Sequence, residues 1–162
     1  MRAAARRDAP LHIVLVEPQI PPNTGNVARL CAATGCALHL VAPLGFSIDD
    51  RELKRAGLDY WDAVDVTLHD SLDAFLVACD APLWLLSTRA STRYDAAPFA
   101  RGDALVFGNE TAGLPAALLA AHATRALRVP MRDGAVRSLN LSTTVGIVAY
   151  AALARLDFPG LR

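Results

Sequence analysis

The sequence predicts an α/β fold in which a mostly parallel sheet is flanked by helices on both faces. Three observations predict it. Short apolar runs alternate with helix-like stretches along the 162 residues. The runs are apolar at nearly every position rather than at every second one, which is the pattern of strands covered on both sides. Hydrophobic residues make up 53% of the chain and charged ones 20%, ample for one packed core.

Taken in order, residues 1–10 are polar and carry Arg2, Arg6 and Arg7, so they read as a flexible N-terminal arm before a single domain spanning 11–162. The run LHIVLV at 11–16 opens the sheet, and a helix is expected over 24–34. There Val27, Leu30, Cys31 and Thr34 recur at i, i+3, i+4 and i+7 and make one core face. Arg29 lies about 160° round from that stripe and points away from the core. ALHLV at 37–41 is the second strand, 50–56 a helix, AVDVTL at 63–68 the third strand and 71–78 a helix. LWLL at 83–86 and ALVF at 104–107 are the next strands, 115–120 a short helix and ALRV at 126–129 the last strand. The longest helix is expected over 140–156. Its Leu139, Leu141, Val145, Ile147, Val148, Leu153 and Leu156 spread over most of the circumference, with alanines in the gaps. Such a helix needs cover on more than one side, and a second copy of the chain is an economical source of it.

The same composition excludes several function classes. The longest apolar or small stretch, 145–154, is about half the ~20 residues of a membrane helix. The apolar run at 11–16 is too short for a secretory signal, so the expected location is cytoplasmic. Cys31, Cys36 and Cys79 form no CxxC pair and read as reduced, mostly buried thiols. His12, His39, His69 and His122 are scattered with no HxxxH spacing, so no metal is expected.

Three stretches carry chemistry. EPQIPPNTGN at 17–26 follows the first strand and opens the first helix, the place where α/β sheets hold ligands. Its prolines stiffen the loop, and Asn23 and Thr24 are expected to cap a helix N-terminus that attracts anions such as phosphate. LVFGNETAGLP at 105–115 is again strand, glycine-rich turn and helix, with Glu110 at its apex. It lacks the Lys-Ser/Thr of a P-loop, and no GxGxxG occurs, which disfavours triphosphate hydrolysis and the usual dinucleotide site. VPM at 129–131, a polar loop through Arg137, and SLNLSTT at 138–144 hold more small polar residues than a helix cap requires.

In IPPNTGNVARLCAATG, KRAGLDYW, FGNETAGLP and RSLNLS, the chain closely resembles the SPOUT class of RNA methyltransferases, the TrmH-like family and its short single-domain TrmL type. The resemblance covers residues 11–160. It implies a SPOUT fold with a C-terminal trefoil knot, a feature that general topological rules would not have drawn. It implies a homodimer that transfers a methyl group from S-adenosyl-L-methionine to the ribose 2′-hydroxyl of the wobble nucleotide in a tRNA anticodon loop. Asn23, Arg29, Glu110, Ser138 and Asn140 match the family's catalytic motifs, and Leu86, Gly108, Val129 and Ser138 match its methyl-donor site. Family proposals make the arginine at Arg29 a base. Neutralising a guanidinium near pH 7 would cost about 8 kcal/mol, so Arg29 is read as orienting phosphate or stabilising a developing alkoxide. The chain departs from many relatives at Ala112, where they carry a basic residue, and at Ala151, where they read Glu after the tyrosine.

Two other readings remain open at this stage: a catalytically silent RNA-binding module on the same fold, and the same chemistry at another tRNA or rRNA position. The net charge of zero hides a distribution of +2 over 1–30, −6 over 31–80 and +4 over 81–162. That excludes a bulk polycation and leaves room for a local RNA site near Arg29, Arg89, Arg93, Arg132 and Arg137, which border the three motif stretches.

Overall fold

The computed structural model describes residues 8–49, 51, 55 and 61–162. The helix expected at 50–56 and the KRAGLDYW motif therefore lie outside the described residues, apart from Arg51, Arg55 and Trp61. Among the described residues, seven strands form one sheet: β1 (His12–Val16), β2 (Ala37–Val41), β3 (Val66–His69), β4 (Leu83–Leu86), β5 (Thr92–Arg93), β6 (Ala104–Phe107) and β7 (Ala126–Arg128). The order is β3-β2-β1-β6-β4-β7-β5 and every pairing is parallel. The α-helices whose residues are described throughout are α1 (Pro21–Thr34), α2 (Leu72–Ala78), α3 (Ala116–Ala121) and α4 (Leu141–Arg155).

Alternation along each strand divides the core in two. On one face Ile13, Leu15, Leu38, Leu40, Leu105 and Phe107 pack beneath α1 and α4, through Val27, Ala28 and Cys31 of the first helix and Val145, Val148 and Ala152 of the last. On the other, Val14, Val41, Leu85 and Val106 are covered by Phe75 of α2 and Leu118 of α3. The expected α/β class and the two helical layers hold. Much of α4 is covered within the chain, although Tyr150 is 45% exposed. Ala9 and Pro10, read from sequence as the end of a loose arm, are buried, and the Pro10 carbonyl accepts from Gly102 N–H at 2.8 Å.

Several element boundaries differ from the sequence reading, and one strand escapes it. Helix α1 begins at Pro21 rather than at 24, because proline at the first helical positions needs no N–H partner and is already set at helical φ. Asn23 and Thr24 are consequently buried in the first turn and not caps. Strand β3 begins at Val66 instead of 63. The two-residue β5 is exposed at both positions and has no apolar signature, so periodicity could not find it.

Three of the four scattered histidines meet in space. His12 Nδ1 lies 3.0 Å from His39 Nε2, and His39 Nδ1 lies 2.9 Å from His69 Nε2, which makes a hydrogen-bonded file across β1, β2 and β3. Phe75 meets His39 and His69 edge-on. Burial, reinforced by the two neighbouring rings, pushes His39 down to about 3, and burial lowers His12 and His69 as well. The rings run in a line rather than converging on one point, and no described cluster of three His, Cys, Asp or Glu is placed to hold a metal. Cys31 and Cys36 are buried free thiols and Cys79 is half-buried. No described helix is long and apolar enough to cross a membrane.

Candidate active site

At the centre of the sheet β1 has β2 on one side and β6 on the other, and its crossover helix leads away from β6. Open parallel sheets hold ligands where the strand order reverses in this way, outside the carboxyl ends of the strands. The loops leaving β1, β4, β6 and β7 meet there around a cleft of about 480 Å³, within the usual range for small-molecule sites.

Glu110 organises it. Its carboxylate accepts the backbone N–H groups of Gln19 at 2.9 Å and Ile20 at 3.0 Å, and the Asn23 side-chain amide at 3.2 Å. Ile20 is the N-cap residue of α1 and offers no side-chain cap. The acid delivered from the β6 loop thus occupies the electropositive helix end that the sequence reading had offered to phosphate. Asn23 passes the connection on, its Oδ1 accepting from Asn140 Nδ2 at 2.9 Å. Asn140 caps α4 by accepting Thr143 N–H at 3.2 Å and also accepts the Ser142 hydroxyl at 2.7 Å. One chain of hydrogen bonds therefore joins all three motif stretches.

The β6 loop closes on itself. Asn109 Oδ1 accepts the N–H groups of Thr111 and Ala112, and Asn109 bridges Gly113. Gly108 is required by close approach: a Cβ there would sit 2.1 Å from the Gly113 carbonyl carbon and 2.3 Å from the Leu114 nitrogen. The β1 loop is held from its other side by Gly45, whose N–H donates to the Pro18 carbonyl at 3.0 Å. A Cβ on Gly45 would fall 2.6 Å from Gln19 Cα.

Of the residues singled out from sequence, Asn23, Leu86, Gly108, Glu110, Val129, Ser138 and Asn140 all line the cleft. Arg29 does not; it is exposed on the outer side of α1. Ser138 is exposed and, unlike Asn140, does not cap α4. Met131, Leu139, Arg89 and Arg137 also line the cleft. Met131 and Leu139 lie inside stretches read from sequence as chemistry-bearing but were not singled out as site residues, because a lone apolar side chain carries no chemical signal of its own.

Comparisons place this arrangement among known proteins. Residues 10–150 match the SpoU rRNA Methylase family. The tRNA (cytidine(34)-2′-O)-methyltransferase of Yersinia pestis is 47% identical over 157 residues, covering 93% of this chain and 96% of its own. A solved structure concerned with the 2-OH methylation of C/U34 on tRNA superposes with a TM-score of 0.86 at 50% identity, over 91% of this chain and 96% of that one. The AdoMet-bound rRNA methyltransferase of Sinorhizobium meliloti gives a TM-score of 0.80 at 25% identity, covering 92% of this chain and 57% of its own. Matched over most of its length and along the loops that build its cleft, the chain belongs to the SpoU rRNA methylase family.

Proposed function

We propose that the protein transfers a methyl group from S-adenosyl-L-methionine to the ribose 2′-hydroxyl of nucleotide 34, a cytidine or modified uridine, in the tRNA anticodon loop. The observation that carries this reading is the Glu110–Asn23–Asn140 junction, which fixes three loops around one cleft at the strand switch point. The relative from Yersinia pestis, matched along nearly its whole length, is named for this reaction.

The residues present fit the methyl donor. Leu86, Val129 and Leu139 offer apolar walls, and Ser87 and Gly108, immediately beyond β4 and β6, with Met131 in the loop after β7, complete the lining against which a purine and a ribose would lie. The donor, when bound, supplies an electrophilic methyl on a sulfonium. The protein's task is then to hold a ribose hydroxyl in line with it, an effect worth about 7 to 11 kcal/mol when reactants are well placed. Asn140 and Ser138 stand at the cleft edge where a sugar would enter. Glu110, its oxygens already taken by three N–H donors, serves as a clamp for the loops rather than as a reacting group. Arg29 orients the RNA from outside the cleft. Its lysine variant checks that role: Arg29→Lys lowers kcat without adding a limb to the pH–rate profile, and full activity with a new alkaline limb would refute it.

The same reading includes a trefoil knot, a homodimer and a cytoplasmic location. For the knot, β7 lies between β4 and β5, both earlier in the chain, and α4 then returns to pack on α1. For the dimer, Tyr150 and Phe158, their rings 6.3 Å apart, form an exposed aromatic pair at the end of α4.

The deciding experiment incubates purified protein with labelled donor and total tRNA and maps modified nucleosides by mass spectrometry. A 2′-O-methyl group at position 34 is expected. Methylation elsewhere moves the target, and donor binding without ribose methylation defeats the proposal.

A further inference from the structure

Three charged side chains line the cleft: Glu110, Arg89 and Arg137. Glu110 is spent on the N-terminus of α1. The two arginines are not spent. Several other arginines are committed: Arg93 pairs with Asp95, Arg101 reaches the Asp8 carbonyl, Arg125 binds the Leu83 carbonyl and lies 3.9 Å over the Trp84 ring, and Arg155 donates to the Asp95 carbonyl. No described acid pairs with Arg89 or Arg137; at Arg89 only the backbone N–H is engaged, by Ser87 Oγ at 3.1 Å. Both are exposed, and they sit on the loops that follow the neighbouring strands β4 and β7.

Two guanidiniums that line one cleft with no described acid partner leave their N–H donors available to an anion entering it. Planar forks of N–H donors match phosphate oxygens two at a time. The chemistry of the substrate places such an anion there. A ribose 2′-hydroxyl is carried next to the carbon that bears the 3′-phosphate, so any pose that puts the hydroxyl in the cleft brings a phosphodiester to its rim.

We propose that Arg89 and Arg137 form a two-armed clamp on the phosphodiester adjacent to the reactive ribose, so that the cleft itself, and not a basic surface, sets where RNA enters. The inference rests on the reading of the protein as an RNA ribose methyltransferase.

Its test is the salt dependence of binding to an anticodon stem-loop RNA, measured by fluorescence anisotropy in the absence of donor. Each of Arg89→Gln and Arg137→Gln is expected to flatten the slope of log Kobs against log salt by about 0.7, and the double variant by about twice that. Donor affinity, measured separately by calorimetry, stays unchanged, and Arg→Lys variants keep the slope. Slopes equal to wild type in both glutamine variants would overturn the clamp. So would weakened donor binding at unchanged slope, which would assign the arginines to the donor's carboxylate. Failure of the functional reading is seen independently: wild-type protein that binds the stem-loop with the full slope but methylates no ribose fails as an enzyme, while the clamp still stands or falls by the variants' slopes.

Discussion

Glu110 shows how a residue can be located by sequence while its partners stay hidden. Its place in FGNETAGLP marks it as a site residue, but only the structure shows that its partners are the Gln19 and Ile20 N–H groups 90 or more positions away. Long-range backbone partners leave no trace in periodicity. Glu110→Gln puts an amide among N–H donors, and the expected cost is about 1–3 kcal/mol, read as a lower urea midpoint, with methyl transfer falling together with loop order. Gly108→Ala is expected to be harsher: a methyl group 2.1 Å from a backbone carbon forces the loop open. Loss of 1–3 kcal/mol or more and of donor binding in calorimetry is the expected result. Gly45→Ala acts at one remove, displacing Gln19 and with it a donor to Glu110. It should lower kcat more than it raises the donor's Kd.

At the level of elements, β2, β4 and β6 have the expected bounds because a buried parallel strand is apolar at nearly every position and is framed by turn residues. What was illegible follows from the same physics. The two exposed residues of β5 carry no burial signal, and the start of α1 was hidden because prolines read equally as loop or as first helical turn. The histidine file was invisible because its members sit on three strands, 27 and 30 positions apart. It has a pH consequence. His39 is held down to about 3 from an ordinary 6.5, so between those values the unfolded chain binds a proton that the folded chain refuses. Stability is then complete above about pH 6.5 and is lost as pH falls towards 3, at about 1.4 kcal/mol per unit for this group. Lowered values at His12 and His69 act in the same direction. Urea midpoints taken from about pH 7 to about pH 5 should fall steadily, and His39→Gln should flatten that dependence.

For the whole molecule, sixteen basic and sixteen acidic residues cancel, yet the described arginines without described partners include the two at the cleft. A neutral protein can therefore bind RNA with a shallow salt slope set by few contacts. Assembly is argued at the same scale. Tyr150 at 45% and Phe158 at 39% exposure form an aromatic surface pair beside a helix whose other face is fully used within the chain. In the proposed homodimer, Tyr150→Arg is expected to shift sedimentation from dimer to monomer, with a loss of about 2 kcal/mol or more in dimer stability; an unshifted dimer would remove this pair from the proposed interface, and a monomeric wild type would defeat the dimer itself.

The file of three imidazoles has one further property. A neutral ring has one N–H and one bare nitrogen, so the central His39 can donate to His69 only while accepting from His12, or the reverse. The three tautomers are not independent: the row points one way or the other as a unit, a single two-valued variable written across β1, β2 and β3. Asp65 beside His12 and Asp70 beside His69 pull at its opposite ends. Nitrogen chemical shifts of the three rings should therefore switch together or not at all.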